Sequence, residues 1–275
     1  MGRRSDPISF LTILKQILFD NMTMIMGIIS GKGGVGKTTT AINLAASLSE
    51  RGYKTFLVDG NLTTPNVSLH LGIPLYPVTL HDVLRGNAHI DEAIYHHPSG
   101  VKVIPASLSV EDIDDLNVDK FREAVLGLTS KKGLVLIDGS AGLGRETRAV
   151  IGVSDSIIIV TNPELTAVTD ALKAIKIARR LRKHVIGVII NRIRGRTHEM
   201  ETEEILDMLG IPILGEVRED INIQRATAKK IPVIHHSPRS VSSRDFKRTA
   251  ATLMNEPYKE ENMGFIDSIM NWLKY

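Results

Sequence analysis

Apolar residues follow two rhythms along this chain. Short, nearly unbroken runs recur at Ile25–Ser30, Lys54–Asp59, Val101–Pro105, Gly133–Asp138, Ser156–Val160, Val185–Ile190 and Ile213–Val217. Runs of this length predict strands buried on both faces. Between them, apolar positions three and four apart predict helices after Lys37 and over Val118–Leu128, Thr166–Arg182, Thr202–Leu209, Ile221–Lys230 and Arg239–Met254. Shorter helical pieces are predicted at Val78–Leu84 and Asp91–Tyr95. Strands alternating with helices predict an α/β domain over residues 24–254, a mostly parallel twisted sheet flanked by helices on both faces.

The two ends depart from this rhythm. In residues 1–23, Ser5-Asp6-Pro7 reads as a helix start. Ile8, Leu11, Leu14, Ile17 and Leu18 then recur at helical spacing, and Phe10, Ile13 and Phe19 widen the apolar side. Three placements fit this amphipathic extension: packed on the domain or its partner, laid on a membrane with help from Arg3 and Arg4, or not made at all if translation starts at Met22, Met24 or Met26. Lys15 and Gln16 interrupt the apolar region, which argues against a signal peptide. At the other end, residues 255–263 read as a polar tether. Phe265, Ile266, Ile269, Met270, Trp272 and Leu273 then share one helical side. A helix this short is marginal in water, and a membrane surface would stabilise it. The alternative is that residues 264–275 pack back on the domain.

The candidate chemistry begins where the first strand ends. Gly31-Lys32-Gly33-Gly34-Val35-Gly36-Lys37-Thr38 fits G-x-x-x-x-G-K-[ST] between a strand and a helix, the context that a phosphate-binding loop requires. Glycines let backbone N–H groups point at phosphate oxygens, and the helix N-terminus adds partial positive charge. Lys37 would reach the β- and γ-phosphates, and the Thr38 hydroxyl would sit on Mg²⁺. The apolar run ending in Asp138 is where a second, Mg²⁺-directed carboxylate belongs; the bland reading is a turn aspartate.

Lys32 is not needed to cradle phosphates. Residues 32–39, K-G-G-V-G-K-T-T including Thr39, resemble the deviant Walker A motif of the MinD/ParA family of ATPases, and residues 24–255 look most like archaeal-type MinD septum-site-determining proteins. The resemblance implies a P-loop NTPase fold of the SIMIBI type, ATP and Mg²⁺ as ligands, and ATP hydrolysis. It also implies an ATP-bound homodimer in which Lys32 reaches the partner's phosphates, and a membrane-targeting helix at residues 264–275. Such a switch would act with an unidentified protein partner at the inner, cytoplasmic face of the cell membrane, positioning cell division or another polar structure.

Residue by residue, Asp59 matches the first aspartate of the family's D-x-D, beside Mg²⁺ and the attacking water, so Thr38, Asp59 and Asp138 form the expected metal set. The second, water-positioning aspartate is Asn61 here. An amide can hydrogen-bond water but cannot act as a carboxylate base, so hydrolysis is expected to be slowed; the bland reading is that Asn61 caps the following loop. Ser140 replaces a proline before Ala141-Gly142, which predicts a looser loop. Asn191 matches the residue that hydrogen-bonds the adenine edge, with an ordinary turn asparagine as the alternative. Arg218 stands where a proline contributes to the adenine pocket.

Composition narrows the picture less. The 275 residues are 43% hydrophobic and 24% charged, with no cysteine, so disulfides and thiolate chemistry are excluded. The net charge of +3 permits an anionic partner without demanding one. Two basic sets, Arg179, Arg180, Arg182 and Lys183, and Arg192, Arg194 and Arg196, support a rival reading as a ParA-like ATPase that partitions DNA. A third reading is an ATP-bound scaffold that hardly turns over. The pairs His96-His97 and His235-His236 read as solvated loop residues.

Overall fold

A computed structural model describes residues 22–72, 76–109 and 119–259. The expected N-terminal helix and the tail at 264–275 lie outside the described residues. Within them the predicted alternation is found: β1 (Thr23–Ser30), α1 (Lys37–Glu50), β2 (Thr55–Gly60), α2 (Val67–Leu71), α3 (Leu80–Arg85), β3 (Tyr95–His96), β4 (Lys102–Ile104), α4 (Lys120–Leu126), β5 (Gly133–Ala141), α5 (Arg145–Val153), β6 (Ser156–Thr161), α6 (Leu165–Arg180), β7 (His184–Ile193), α7 (Thr202–Leu209), β8 (Ile213–Arg218), α8 (Ile221–Ala228), α9 (Val233–His236) and α10 (Val241–Leu253).

The strands form one sheet in the order β3-β4-β2-β5-β1-β6-β7-β8. All neighbours are parallel except β3, which pairs antiparallel with β4. The apolar runs are unbroken because both faces are covered. Met24, Met26 and Ile28 of β1 face the side of α1 and α10, whereas Ile25 and Ile29 face the side of α4, α5 and α6. Strand β1 sits near the middle, between β5 and β6, so its C-terminal end opens into the crevice where such sheets bind ligands.

Several boundaries differ from expectation, among them β5, which runs to Ala141 rather than ending at Asp138. Tyr95, expected at the end of a helical piece, starts β3: Ile90–Ala93 is a single 3₁₀ turn. The Tyr95 hydroxyl bonds both the N–H and the carbonyl of Val78 (2.9 Å each), pinning that edge. The helix expected over Ile221–Lys230 stops at Ala228, and Pro232 starts the short α9 instead. The last helix begins at Val241 because the Ser240 side chain caps it by accepting from Ser243 N–H.

Helix α10 closes the face that carries α1, and Phe246 is its fully buried anchor. Phe246→Ala is expected to cost about 3–5 kcal/mol in urea unfolding, the usual cost of a large core cavity.

Candidate functional site

The glycine loop between β1 and α1 is shaped by Gly34 (φ 78°) and Gly36 (φ 87°), backbone conformations that glycine adopts without penalty. A Cβ on Gly34 would meet nothing within 4 Å, whereas one on Gly36 would lie 2.1 Å from Asn191 Nδ2. The loop is therefore open at Gly34 and pressed against β7 at Gly36. Helix α1 starts at Lys37, so its unpaired first-turn N–H groups face this loop. The Thr38 and Thr39 hydroxyls have no partner among the described residues.

Lys37 is only 7% exposed, and its Nζ lies 2.8 Å from Asp138 Oδ1. Asp138 stands directly opposite Asp59 in the β5–β2 register, and both are fully buried. The sheet thus sets two carboxylates side by side with one ammonium. Asp59 Oδ1 accepts from Asn61 N–H (3.2 Å), and Oδ2 accepts from Asn66 and Val67 N–H (3.0 Å each). Burial first, and then the Asp138 charge, push the Asp59 carboxyl up to about 7, against the opposing pull of these N–H groups and Lys37.

The three expected metal residues differ in how far their oxygens are committed. Asp138 Oδ2 is buried with no partner among the described residues. Both Asp59 oxygens, in contrast, are occupied by backbone donors and fasten the start of α2. No cluster of three His, Cys, Asp or Glu side chains occurs among the described residues. One uncommitted carboxylate oxygen and one hydroxyl, Thr38, fit a small hard cation that keeps water and takes other ligands from phosphate, as Mg²⁺ does.

Asn61 is buried and turned into its own loop. Its Nδ2 donates to the Thr64 carbonyl, and its Oδ1 accepts from the Thr64 hydroxyl at 3.1 Å. Two residues on, Thr63 is clasped by the Glu146 carboxylate of α5 through its N–H (2.9 Å) and hydroxyl. Ser140 corrects an expectation. It belongs to β5 rather than to a glycine loop, and its hydroxyl lies 3.0 Å from that of Thr147 on α5. Thr147 also donates to the Gly142 carbonyl (3.0 Å). The segment that lost its proline is pinned by hydrogen bonds rather than loosened.

Lys32 does not enter the cradle beside Lys37. Its Nζ lies 3.3 Å from both Glu164 Oε2 and Thr166 Oγ1 on the neighbouring β6–α6 connection, with the side chain 42% exposed. Asn191 Nδ2 donates to the Val35 carbonyl (2.8 Å), and its buried Oδ1 has no partner among the described residues. Asn162, with its amide oriented to donate, reaches the Val35 and Asn191 carbonyls at 3.1 and 3.2 Å. Two asparagines therefore brace the glycine loop from β6 and β7. Arg218 forks onto the buried Asp245 of α10 through Nε (2.9 Å) and Nη2 (2.6 Å).

Glu146, Asn162, Glu164, Thr166 and Asp245 were not singled out from the sequence. Asn162 and Glu164 follow a predicted strand, but only the placement of β6 beside β1 brings them to the loop. The histidine reading also changes: His235 lies on α9 and pairs with Glu50 (2.9 Å), so it is not a solvated loop residue.

A family model described as the CobQ/CobB/MinD/ParA nucleotide binding domain matches residues 26–233. The chain is 36% identical over 256 residues to an uncharacterized ATP-binding protein of Methanocaldococcus jannaschii, covering 92% of this chain and 97% of that protein. It is 33% identical over 239 residues to the septum site-determining protein MinD of Synechocystis, covering 84% and 90%. The structure of MinD from Pyrococcus horikoshii complexed with Mg-ADP superposes with a TM-score of 0.81 at 33% identity, covering 90% of this chain and 99% of that one.

Removing Lys37 leaves two adjacent buried carboxylates without their cation. Lys37→Ala is expected to destabilise the ligand-free protein by about 3–5 kcal/mol in urea unfolding near pH 8. The folded-state Asp59 carboxyl titrates above its ordinary value of 3.8. The variant lacks the cation that lowers this carboxyl and takes up the proton at higher pH than the wild type, so the penalty is expected to shrink as pH falls toward about 7 and to level off below it.

Proposed function

The chain belongs to the CobQ/CobB/MinD/ParA family of nucleotide-binding domains, and from that premise we propose that it is a MinD-like ATPase switch. In this reading it binds ATP and Mg²⁺, dimerises, docks on the inner face of the cell membrane through residues 264–275, and recruits a protein partner to position cell division or another polar structure. Residues 24–254 are the ATPase body; residues 1–23 and 255–275 are appended segments.

The observation that carries this reading is the division of labour between the two loop lysines. Lys37 lies buried in the cradle, whereas Lys32 lies at the rim, held only by exposed partners. A rim lysine on a weak surface latch is available to a second copy, since exposed ion pairs contribute only about 0–1 kcal/mol.

The geometry supports the following roles. Gly31, Gly33, Gly34, Val35 and Gly36 offer backbone N–H groups to phosphate, with Asn191 and Asn162 holding the loop in shape. Lys37 exchanges Asp138 for phosphate oxygens. Asp138 and Thr38 would hold the cation, which supplies charge neutralisation at the phosphates. Asp59 orients the loop that carries Asn61, and Arg218 with Asp245 rims the side expected to receive the base.

A second reading is favoured by one observation. Asn61 is committed to Thr64 and carries no carboxylate, which supports a slow ATPase or a scaffold that holds ATP. The DNA-partition reading has less support. The sets Arg179–Lys183 and Arg192–Arg196 lie at opposite ends of β7, so they cannot form one continuous track. Arg194 is moreover taken up by Glu219.

Light scattering after size exclusion tests the switch. The wild type is expected to dimerise with ATP and Mg²⁺ but not with ADP, and Lys32→Ala to remain monomeric while still binding nucleotide; an ATP-dependent dimer of Lys32→Ala would refute the trans role. Asn61→Asp is expected to raise phosphate release about a hundredfold, the low end of what a positioned base contributes. An unchanged rate would show that this position does not limit turnover.

A further inference from the structure

One arginine beside the glycine loop is aimed there by an irregularity in the sheet. Strand β7 alternates regularly as far as Asn191. Val188 and Ile190 pack on the face of α4, α5 and α6, and Ile189 packs on the face of α1 and α10. Strict alternation would send Arg192 toward the first face and Ile193 toward the second. Ile193 instead packs on the same face as Ile190. Asn191 stands opposite Val217 and Ile193 opposite Arg218, so β7 carries one residue more than β8 at this point. Arg192 is that extra residue, in a β-bulge, and its backbone is left-handed at φ 59°. Bulges re-aim side chains and are over-represented next to active sites.

The Arg192 side chain is turned to the side of Asn191. Its Nε lies 3.9 Å from the point where a Cβ of Gly36 would stand, the same point that Asn191 Nδ2 approaches from β7. Arg192 is exposed and has no hydrogen-bond or ion-pair partner among the described residues. The two arginines that follow are placed differently. Arg194 is forked onto Glu219, with Nη2 at 2.8 Å from Oε1. Arg196 lies further along an exposed loop that Glu199 gathers by accepting from the N–H groups of Arg194 (3.0 Å), Gly195 (2.9 Å) and Arg196 (3.4 Å).

A left-handed backbone is costly for a residue with a long side chain, and no contact of the Arg192 side chain among the described residues offsets it. Strain of this kind clusters at ligand sites. Charge points the same way. The cradle holds two buried carboxylates, Asp59 and Asp138, against one buried cation, Lys37. A polyphosphate seated on the Gly36 N–H brings further negative charge. A guanidinium is the side chain whose planar fork of donors matches phosphate oxygens.

We propose that Arg192 is a phosphate-binding residue of the nucleotide site. It acts within its own subunit from the β7 side, as Lys37 acts from α1, and is distinct from Lys32 on the β6 side. The proposal rests on the reading of the glycine loop as a nucleotide cradle and adds a cation to it.

The test is calorimetric titration of the ligand-free chain with Mg-ADP, followed by displacement of Mg-ADP with Mg-pyrophosphate. Arg192→Asn removes the charge at a position whose left-handed backbone asparagine tolerates. It is expected to weaken both ligands by about 10- to 100-fold, the range of a hydrogen bond to a charged group. Arg192→Lys keeps the charge without the fork and should lose less. Arg196→Gln removes the same charge from the neighbouring loop and should bind both ligands as the wild type does. The ligand-free melting temperature of Arg192→Asn should match the wild type or exceed it. Unchanged affinity in Arg192→Asn would overturn the proposal. A loss for Mg-ADP with none for pyrophosphate would also overturn it, since the contact would then be to the nucleoside. So would an equal loss in Arg196→Gln, which would mark a diffuse field, or a lowered ligand-free melting temperature in Arg192→Asn, which would mark a structural role. None of these arms needs ATP or a dimer. ATP-dependent dimerisation of the wild type beside unchanged affinity in Arg192→Asn would overturn this proposal and leave the switch intact. A wild type that never dimerises, beside the expected loss in Arg192→Asn, would do the reverse.

Discussion

The contact on which the site depends is the buried pair of Lys37 and Asp138. Neither group is tolerable alone in an interior where an unpaired ion costs several kcal/mol. The pair exists because β5 and β2 run in register, bringing Asp138 and Asp59 level, and because α1 begins at Lys37 beneath the same face. Two carboxylates share one ammonium, so the ligand-free site carries a deficit of positive charge. Burial raises the Asp59 carboxyl, and Asp138 keeps one oxygen without a donor. Asp138 would hold a cation through its unpartnered oxygen, and Lys37 would turn to phosphate; the cation would supply the missing positive charge. The arrangement before binding is in this sense the complement of the ligand.

The same parallel sheet separates functions by length. Every glycine, carboxylate and asparagine that faces the cradle sits at the C-terminal strand ends, where helix N-termini also converge. The other end collects the residues that close helices, where cations are favoured. Arg179 and Arg180 of α6 are an example. A doubly wound sheet therefore produces an anion-binding pole for phosphate through backbone N–H groups, and a second cationic pole through side chains. The first recognises a small ligand by shape.

The fold was legible because its signals are local. Unbroken apolar runs and the spacing of Gly31 to Thr38 specify a buried parallel sheet with a phosphate loop. Asp138 was readable as the polar end of an apolar run, although β5 itself continues to Ala141. What escaped is long-range. Lys32 meets Glu164 across 132 residues and Thr63 meets Glu146 across 83. Nothing in the periodicity encodes which strands are neighbours. Tyr95 was placed in a helical piece because its edge pairing with Val103 has no sequence signal. Ser140 was read as a lost proline, but its effect depends on Thr147, which only α5 brings within reach. The amphipathic ends were equally legible as patterns, yet both fall outside the described residues.

The loops after β2 and β5 show how a site can be fastened and still switch. The D-x-D and proline features expected here are replaced by Asn61 and Ser140, and both replacements are hydrogen-bonded locally, to Thr64 and Thr147. The Thr63–Glu146 clasp then ties one loop to the helix that follows the other. Each of these bonds contributes about 1 kcal/mol net, and the clasp is exposed. Their sum is comparable with the roughly 5.5 kcal/mol of differential affinity that inverts a two-state population. The residues at 61 and 140 therefore add hydrogen bonds that any rearrangement of these loops must break.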